Sequence, residues 1–361
     1  MANVLDLRRR IRSVKSTRQI TRAMKMVSAA KLRRAQERAI SARPYALRIA
    51  SVLASLKRRV EILDPVTGNL RHPLFAVRPE KRILLVIVSG DKGFAGAFNT
   101  NILKASAQFL SLCEGREVDI EPIGRKARDQ MRRRYPQATH EEVQTENPAD
   151  GSSLVRHVRH RKSGIEVVGE HPGLLEKLTH GAVREIAEEI IRRYTHEEID
   201  ACYIVYNEFK SVIQQRVVTE RLLPLIEPGS HVIVDAVEPT AEEREFAATV
   251  AAAAGISPFA EDTHESDEEA ARFGTADVDY IYEQPAAELL NGLLPSYVSA
   301  MLFHAMAESV AAEHAARMTA MEAATNNASD MIDSLTLYMN RVRQAAITKE
   351  IIEIVSGAAA L

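Results

Sequence analysis

Hydrophobic positions recur with a helical period along the last quarter of the chain. Between Ser296 and Ser356 there is neither Gly nor Pro, and Ala, Met, Leu, Glu and Arg predominate, which predicts one long helix. One face carries Met301, Ala305, Ala312, Ala316 and Ala323, followed in strict 3-4-3-4 spacing by Ile332, Leu335, Met339, Val342 and Ala346. Such spacing is typical of helices that wind around one another. At about 90 Å, an unbroken helix must pair with another helix or enter another protein.

The first sixty residues predict the partner of this helix. Residues 3–43 contain no Gly or Pro, and Pro44 is tolerable as a kink. An irregular apolar stripe continues to the stop at Asp64-Pro65, and it comprises Ile11, Val14, Ile20, Met24, Val27, Leu32, Leu53, Leu56, Val60 and Leu63. Two terminal helices that pair across an intervening domain run antiparallel when both enter and leave that domain at the same end, and on this basis we expect an antiparallel coiled coil.

The middle of the chain has the pattern of an α/β domain. The continuous apolar run Ile83–Val88 is followed by a turn and a helix that starts near Asn99, which is typical of a buried parallel strand. The same reading predicts helices at 125–135 and 174–194, and further strands at Val118–Ile123, Ala201–Tyr206, Gln214–Ile226, His231–Asp235 and Asp279–Glu283. The fold class is therefore α/β with a long coiled coil, and the central domain is expected to be Rossmann-like with a mostly parallel sheet.

Two stretches of the middle lack a clear period. Thr139–Pro172 mixes charged and small polar residues, and Glu261–Glu269 carries six acidic side chains. Both read as surface insertions. The predicted organisation is an N-terminal coiled-coil helix at 1–64, a central α/β domain at 65–285 with insertions at 139–172 and 238–277, and a C-terminal coiled-coil helix at 286–361.

Charge is distributed unevenly although the net charge is only −2. Residues 1–60 carry 17 Lys and Arg residues against only Asp6 and Glu37, whereas residues 286–361 carry 4 basic and 8 acidic side chains. Opposite signs favour pairing of the two ends, or an acidic partner for the first. Cys113 and Cys202 lie in apolar contexts and are expected to be reduced, buried thiols. No apolar run approaches membrane-spanning length, which predicts a soluble or peripheral protein.

Candidate chemistry is sparse. The loop Ser89–Gly96 lies where nucleotide-binding α/β proteins place a phosphate loop, but it lacks the Gly-Lys-Ser/Thr ending and a full G-x-G-x-x-G. A nucleotide-binding α/β protein with a helical oligomerisation arm is therefore an alternative, as is a coiled-coil adaptor that binds nucleic acid through the basic helix. Neither accounts for the apolar end Ile351–Leu361, which would be an aggregation liability in water unless other chains enclose it.

Several segments resemble the gamma subunit of bacterial F-type ATP synthases. Residues 20–32 with Arg43-Pro44-Tyr45 resemble that family's N-terminal helix, and residues 313–321 and 343–350 with Ser356-Gly357-Ala358 resemble its C-terminal signature. Residues 205–209 and 222–225 resemble its central domain. The chain is longer than typical members of this family, and the surplus falls in Thr139–Pro172 and Glu238–Asp277.

The resemblance implies a non-catalytic rotor shaft that couples turning of the membrane c-ring, driven by proton flow, to ATP synthesis or hydrolysis at the beta subunits. It implies no cofactor and no nucleic acid, a peripheral location on the cytoplasmic face of the bacterial membrane, and a complex with alpha, beta, epsilon and delta subunits and the c-ring. By carry-over, the beta subunits would be contacted by Arg343, Gln344, Thr348, Glu350, Arg22, Met24 and Lys25. The epsilon subunit or c-ring would be contacted by Tyr206, Asn207 and Glu208.

Overall fold

Two long helices, one from each end of the chain, flank a central sheet in the computed structural model, which describes residues 4–59, 72–146, 153–213, 215–226, 232–257 and 283–359. Helix α1 is Val4–Arg59 and helix α6 is Ala286–Ala359. Both predicted terminal helices are confirmed, and each runs through a proline, Pro44 in α1 and Pro295 in α6. Among the described residues, four shorter α-helices lie between them: α2 (Phe98–Leu112), α3 (Arg125–Arg134), α4 (His180–Thr195) and α5 (Ala241–Ala253).

The central sheet has six strands in the order β5-β2-β1-β6-β7-β8. Their bounds are β1 (Arg82–Val88), β2 (Glu117–Ile123), β5 (Ile165–Val167), β6 (Ala201–Phe209), β7 (Gln215–Leu223) and β8 (Ile233–Val237). Strands β5, β2, β1 and β6 are parallel, whereas β7 and β8 add antiparallel pairings, so the sheet is mixed. The predicted strands in these regions are confirmed, while Asp279–Glu283 lies, except for its last residue, outside the described residues.

The prediction that Thr139–Pro172 is irregular is wrong. Strands β3 (Thr139–Glu146) and β4 (Ser153–His160) form a separate antiparallel two-stranded sheet, and β5 adds to the edge of the main sheet beside β2. The pattern was missed because β3 and β4 together contain only four apolar residues, too few for an apolar–polar alternation, and β5 is three residues long. In the other predicted insertion, 238–277, helix α5 begins at a capping box on Thr240. Residues 258–277, which include the acidic run Glu261–Glu269, lie outside the described residues.

Alternate residues of β1 face two apolar layers, as a continuous apolar run predicts for a parallel strand. Leu84, Val86 and Val88 belong to the layer that contains α4, and Ile83, Leu85 and Ile87 belong to the layer that contains α2. Helix α6 contributes to both layers, with residues 290–307 in the first and residues 311–318 in the second. The helix therefore passes from one face of the sheet to the other, and it does so at the end where β1 leaves the sheet.

Part of the contact between helices α1 and α6 is made by polar side chains. Thr21 Oγ1 lies 2.8 Å from Thr325 Oγ1, and Lys25 Nζ lies 2.7 Å from Glu322 Oε2. Closer to the start of α1, a third contact joins Arg18 to Ser329. Along this series of three contacts, the residue numbers fall on α1 and rise on α6.

The buried face of α1 differs from the predicted apolar stripe. Ile20 and Val27 are 57% and 56% exposed, so they point away from α6. The buried positions instead recur at intervals of three and four, or their sums, at Leu7, Ile11, Thr21, Ser28, Leu32, Ala35 and Ala39. The ends of the predicted stripe are confirmed, since Ile11, Leu32, Leu53 and Leu56 are buried, while Val60 and Leu63 lie outside the described residues. Its middle was misread because the contact face there is made of small polar and charged residues, which a search for hydrophobic positions does not register.

Two bulk predictions have different outcomes. Cys113 and Cys202 are buried free thiols, as predicted, and burial raises the pKa of both. Among the described residues one helix, α6, is long and apolar enough by composition to cross a membrane, which corrects the expectation that no such stretch exists. Because 44% of that stretch is buried inside the protein, packing against the rest of the chain explains much of its apolar character.

Candidate functional site

The outer turns of α6 project from the rest of the described structure. The four predicted contact residues on this segment, Arg343, Gln344, Thr348 and Glu350, are all exposed. The following turns expose large apolar side chains, namely Ile351 (56%), Ile352 (60%), Ile354 (71%) and Val355 (62%). We call residues 343–359 the tip. Apolar side chains on successive exposed turns are typical of a surface that another protein covers.

The basic face of α1 is only partly available for contact. Arg22 is exposed, as are Arg8, Arg9, Arg10, Arg12 and Lys15 nearer the start of the helix. Met24 is half-buried, and the Lys25 side chain is 17% exposed and bonded to Glu322. Of the three predicted residues on α1, Arg22 alone presents its charge to the outside, while Lys25 holds the two helices together.

The predicted contact at the end of β6 is largely enclosed. Tyr206 is 5% exposed and its hydroxyl donates to Glu220 Oε2 at 2.9 Å. Asn207 is 7% exposed. The Glu208 side chain is 17% exposed and forms an ion pair with Arg216. Within the described chain, therefore, Tyr206 and Asn207 support the sheet end, and Glu208 is the member of the three nearest to the surface.

The loop Ser89–Gly96 lies against α6, and a side chain of α6 fills the space in which the phosphate of a nucleotide would lie. A Cβ built on Gly90 would lie 2.8 Å from both Cδ and Oε1 of Glu313, so the carboxylate touches the backbone of Gly90. Glu313 forms a buried ion pair with Arg317, and the guanidinium of Arg317 reaches the carbonyl oxygen of Gly93 at 3.4 Å. Because a carboxylate fills the space beside Gly90, a phosphate could not approach that amide, which disfavours the nucleotide-binding alternative.

Burial sets the ionisation of this junction. Desolvation raises the pKa of Glu313, although the adjacent Arg317 opposes the shift. Desolvation lowers the pKa of His314 to about 4, and the positive charges of Arg317, Lys31 and Lys92 add to the effect. His314 is therefore neutral near pH 7, and its Nδ1 accepts from Arg317 Nη1 at 3.2 Å.

Sequence reasoning missed the roles of two groups of residues. Glu313 and Arg317 were recognised only as part of a signature, and the contact with Gly90 could not be read because it joins positions over two hundred residues apart. The polar contacts of Thr21 and Lys25 could have been found from the sequence, because both residues keep the three-and-four spacing of the buried positions on α1. This spacing is visible only when polar residues are included in the search for a contact face.

The fold and the exposed tip define a class of protein: a subunit that extends a long helix from an α/β domain into a complex. A family model described as ATP synthase matches residues 3–361. The chain is 44% identical to the ATP synthase gamma chain of Solibacter usitatus over 360 residues, covering 100% of this chain and 99% of the relative. It is 39% identical to that of Pelotomaculum thermopropionicum over the full length of both. The chain belongs to the ATP synthase gamma chain family.

A solved structure supports the fold. The described chain is similar to one in the cryo-EM structure of the Euglena gracilis mitochondrial ATP synthase OSCP/F1/c-ring in rotational state 3, with a TM-score of 0.51, 17% identity, and coverage of 99% of this chain and 94% of that one. As a gamma chain, the protein is a non-catalytic rotor subunit of the central stalk in a membrane-associated complex. Against the two relatives, which it matches end to end, the chain has no surplus length.

Proposed function

We propose that the chain is the shaft that couples turning of a membrane c-ring to ATP synthesis or hydrolysis at the catalytic sites of surrounding beta subunits. The observation that carries the proposal is the tip, where apolar and hydrogen-bonding side chains are exposed on a helix whose other half is embedded in the sheet domain. A helix fixed at one end and uncovered at the other is suited to enter a sleeve formed by other chains.

The shaft is proposed to be an antiparallel coiled coil of residues 1–64 and 286–361, carried by a Rossmann-like domain at 65–285. The opposite numbering of the Thr21–Thr325, Lys25–Glu322 and Arg18–Ser329 contacts supports antiparallel pairing. The intervals of three and four between buried positions on α1 support a wound pair. A coiled coil is stiffer than two independent helices and therefore suits a part that carries torque.

Contacts with the beta subunits are proposed at two levels. The upper contact uses Arg343, Gln344, Thr348 and Glu350, whose exposure leaves their side chains free to bond to another chain. The lower contact uses Arg22, with Met24 and Lys25 behind it, against acidic side chains of beta. Lys25 would act there by keeping α1 in place through its bond to Glu322 rather than by direct contact.

At the opposite end, the sheet domain is proposed to bind the epsilon subunit and the c-ring. Glu208 is the candidate for direct contact, and Tyr206 and Asn207 would shape the strand end from within. The alpha and delta subunits belong to the same complex in this proposal, and nucleic acid is not a partner. The location that follows is the cytoplasmic face of a bacterial membrane, where the chain is peripheral and held by the c-ring.

Co-expression with the alpha and beta subunits of the same complex tests the proposal. We expect a stable complex with one copy of this chain, and we expect the double variant Arg343→Ala/Gln344→Ala to reduce its yield or its coupled activity. Arg184→Ala/Glu188→Ala is the matched control, because this pair is exposed on α4, away from the tip. Recovery of alpha and beta subunits without this chain, or equal behaviour of the two double variants, would contradict the proposal.

A further inference from the structure

The loop after β1 runs alongside α6 for two helical turns. Gly90 meets Glu313, the Gly93 carbonyl meets Arg317, and a Cβ on Gly96 would lie 3.7 Å from the Ala320 Cβ. The contacted residues of α6 are four and three positions apart, so they share one face of the helix. Loop and helix therefore meet along a line rather than at a point.

The loop is firmly tied to the sheet domain. The Ser89 amide donates to the Ile123 carbonyl at 2.9 Å, and the Gly90 amide donates to Asn99 Oδ1 at 2.9 Å. Asp91 Oδ1 accepts from the amides of Arg125 at 3.0 Å and Gly173 at 2.8 Å. Because these bonds reach β2, α2, α3 and the segment before α4, a force on the loop is passed to the whole domain.

Apolar packing on its own would hold α6 against the domain without fixing its position. Ala311, Ala312, Ala315 and Met318 are fully buried on this part of the helix, but small apolar contacts are not directional and can be replaced by similar contacts after a shift. The Glu313–Arg317 pair differs. Its two members lie one turn apart and move together with α6, so a shift of the helix keeps the ion pair. The same shift separates Arg317 from the Gly93 carbonyl and takes the Glu313 carboxylate out of the space that Gly90 leaves for it, and both contacts depend on one position of the helix.

We propose that Gly90, Glu313 and Arg317 form a torque clamp that prevents α6 from turning or sliding relative to the sheet domain. The inference rests on the proposed shaft function and adds the residues that join the shaft to the domain. In the clamp, Gly90 provides the space, Glu313 fills it, and Arg317 holds the carboxylate while bonding to the loop. These are positioning residues, because they touch neither nucleotide nor ion.

Two Gly→Ala substitutions in the same loop distinguish an effect on the clamp from an effect on the loop in general. Gly90→Ala places a methyl 2.8 Å from the Glu313 carboxylate, so the carboxylate must shift out of the space beside Gly90. Gly93→Ala adds the same methyl where nothing lies within 4 Å. Neither glycine has a positive φ, so alanine causes no backbone strain at either position.

The experiment uses the assembled complex in inverted membrane vesicles and measures ATP-driven ion translocation per ATP hydrolysed. We expect Gly90→Ala to assemble and hydrolyse ATP but to lose translocation per ATP severalfold, and Gly93→Ala to match the parent. Adding Glu313→Asp to Gly90→Ala should restore coupling, since the shorter side chain leaves room for the methyl and keeps the charge. If Gly90→Ala does not assemble, translocation per ATP is measured with Glu313→Gln instead. Glutamine keeps the shape of the side chain and removes the ion pair with Arg317, so we expect the same loss of coupling.

The inference is overturned if Gly90→Ala and Glu313→Gln couple as well as the parent, or if Gly93→Ala loses as much as Gly90→Ala. Failure of the proposed function would look different. In that case the parent chain itself would give no coupled complex, before any substitution is made.

Discussion

Both ends of α6 carry many apolar residues, but their surroundings are opposite. From Leu290 to Met321 the helix packs against the sheet domain and α1, and most of its large apolar side chains are less than 9% exposed. From Arg343 onward nearly every described side chain is exposed, including four isoleucine and valine residues that are more than half exposed. The first half is a core helix of its own domain, and the second half exposes the apolar surface that the proposed function assigns to contact with other chains.

This contrast shows that helix formation and burial are separate properties here. Between Ser296 and Ser356 strong helix formers without Gly or Pro extend the helix through both the buried and the exposed part. Burial depends instead on what lies opposite, which is the domain for the first half and, in the proposed assembly, a sleeve formed by other chains for the second. Substitutions in the first half should therefore change the stability of the chain, and substitutions at the tip should change assembly.

The largest effect on stability is expected at Leu302, which is fully buried in the first half. Leu302→Ala should lower the free energy of unfolding of the full chain by about 2–5 kcal/mol, because it removes buried methyl groups and leaves a cavity. Ile352→Ala, at a position 60% exposed, is the comparison and should cost less than about 0.5 kcal/mol. Denaturant titration followed by circular dichroism measures both. Similar losses at the two positions would remove the distinction between the halves.

The second effect is a pH dependence confined to the embedded half. The unfolded chain protonates His314 near its ordinary pKa of 6.5, whereas the folded chain resists protonation until about pH 4. Stability from this residue is therefore complete above pH 6.5 and decreases as the pH falls towards 4, by at most about 3 kcal/mol. Glu313 partly offsets the loss, because its raised pKa favours proton uptake by the folded chain as the pH falls.

Unfolding free energies between pH 7 and pH 5 measure the pH effect. His314→Gln should flatten the slope, because glutamine does not titrate. His196→Gln provides a control on an exposed histidine at the end of α4. An unchanged slope in His314→Gln would show that His314 is not the group responsible.

A smaller effect is expected where the two halves meet, at the Lys25–Glu322 pair. Lys25→Met should destabilise the chain by about 1–3 kcal/mol, since it leaves a partly buried carboxylate without its partner. The double variant Lys25→Met/Glu322→Leu should recover most of this loss, because an apolar pair can replace a buried ion pair. A double-mutant cycle on unfolding free energies gives the coupling, and additive single effects would argue against the contact.

The smallest effect on the chain itself is expected at the end of the tip. Ile354→Ser/Val355→Ser should change the unfolding free energy by less than about 0.5 kcal/mol, because both side chains are already in water. The same variant should reduce self-association of the free chain and weaken its retention by alpha and beta subunits. Sedimentation velocity and co-purification provide the two measurements. A clear loss of stability would mean that the tip packs against its own chain.

The elements with strong local signals could be predicted from the sequence. Ile83–Val88 was readable as a buried strand because it is apolar on both faces, and most of α6 was readable because Ser296–Ser356 contains no Gly or Pro. The β3–β4 pair was missed because its two strands contain too few apolar residues for an apolar–polar alternation. The Gly90–Glu313 contact was out of reach for a different reason, since nothing in the local spacing of either residue refers to the other.

The tip also has a mechanical consequence. The described part of α1 begins at Val4, and the outer turns of α6 continue exposed beyond the shared length of the two helices. A lateral force on the tip bends a single helix, whereas the same force on the paired region must bend two helices that are bonded to each other. The outer end of α6 is therefore more compliant than the part paired with α1, and it can yield to an uneven wall while the paired part keeps its direction.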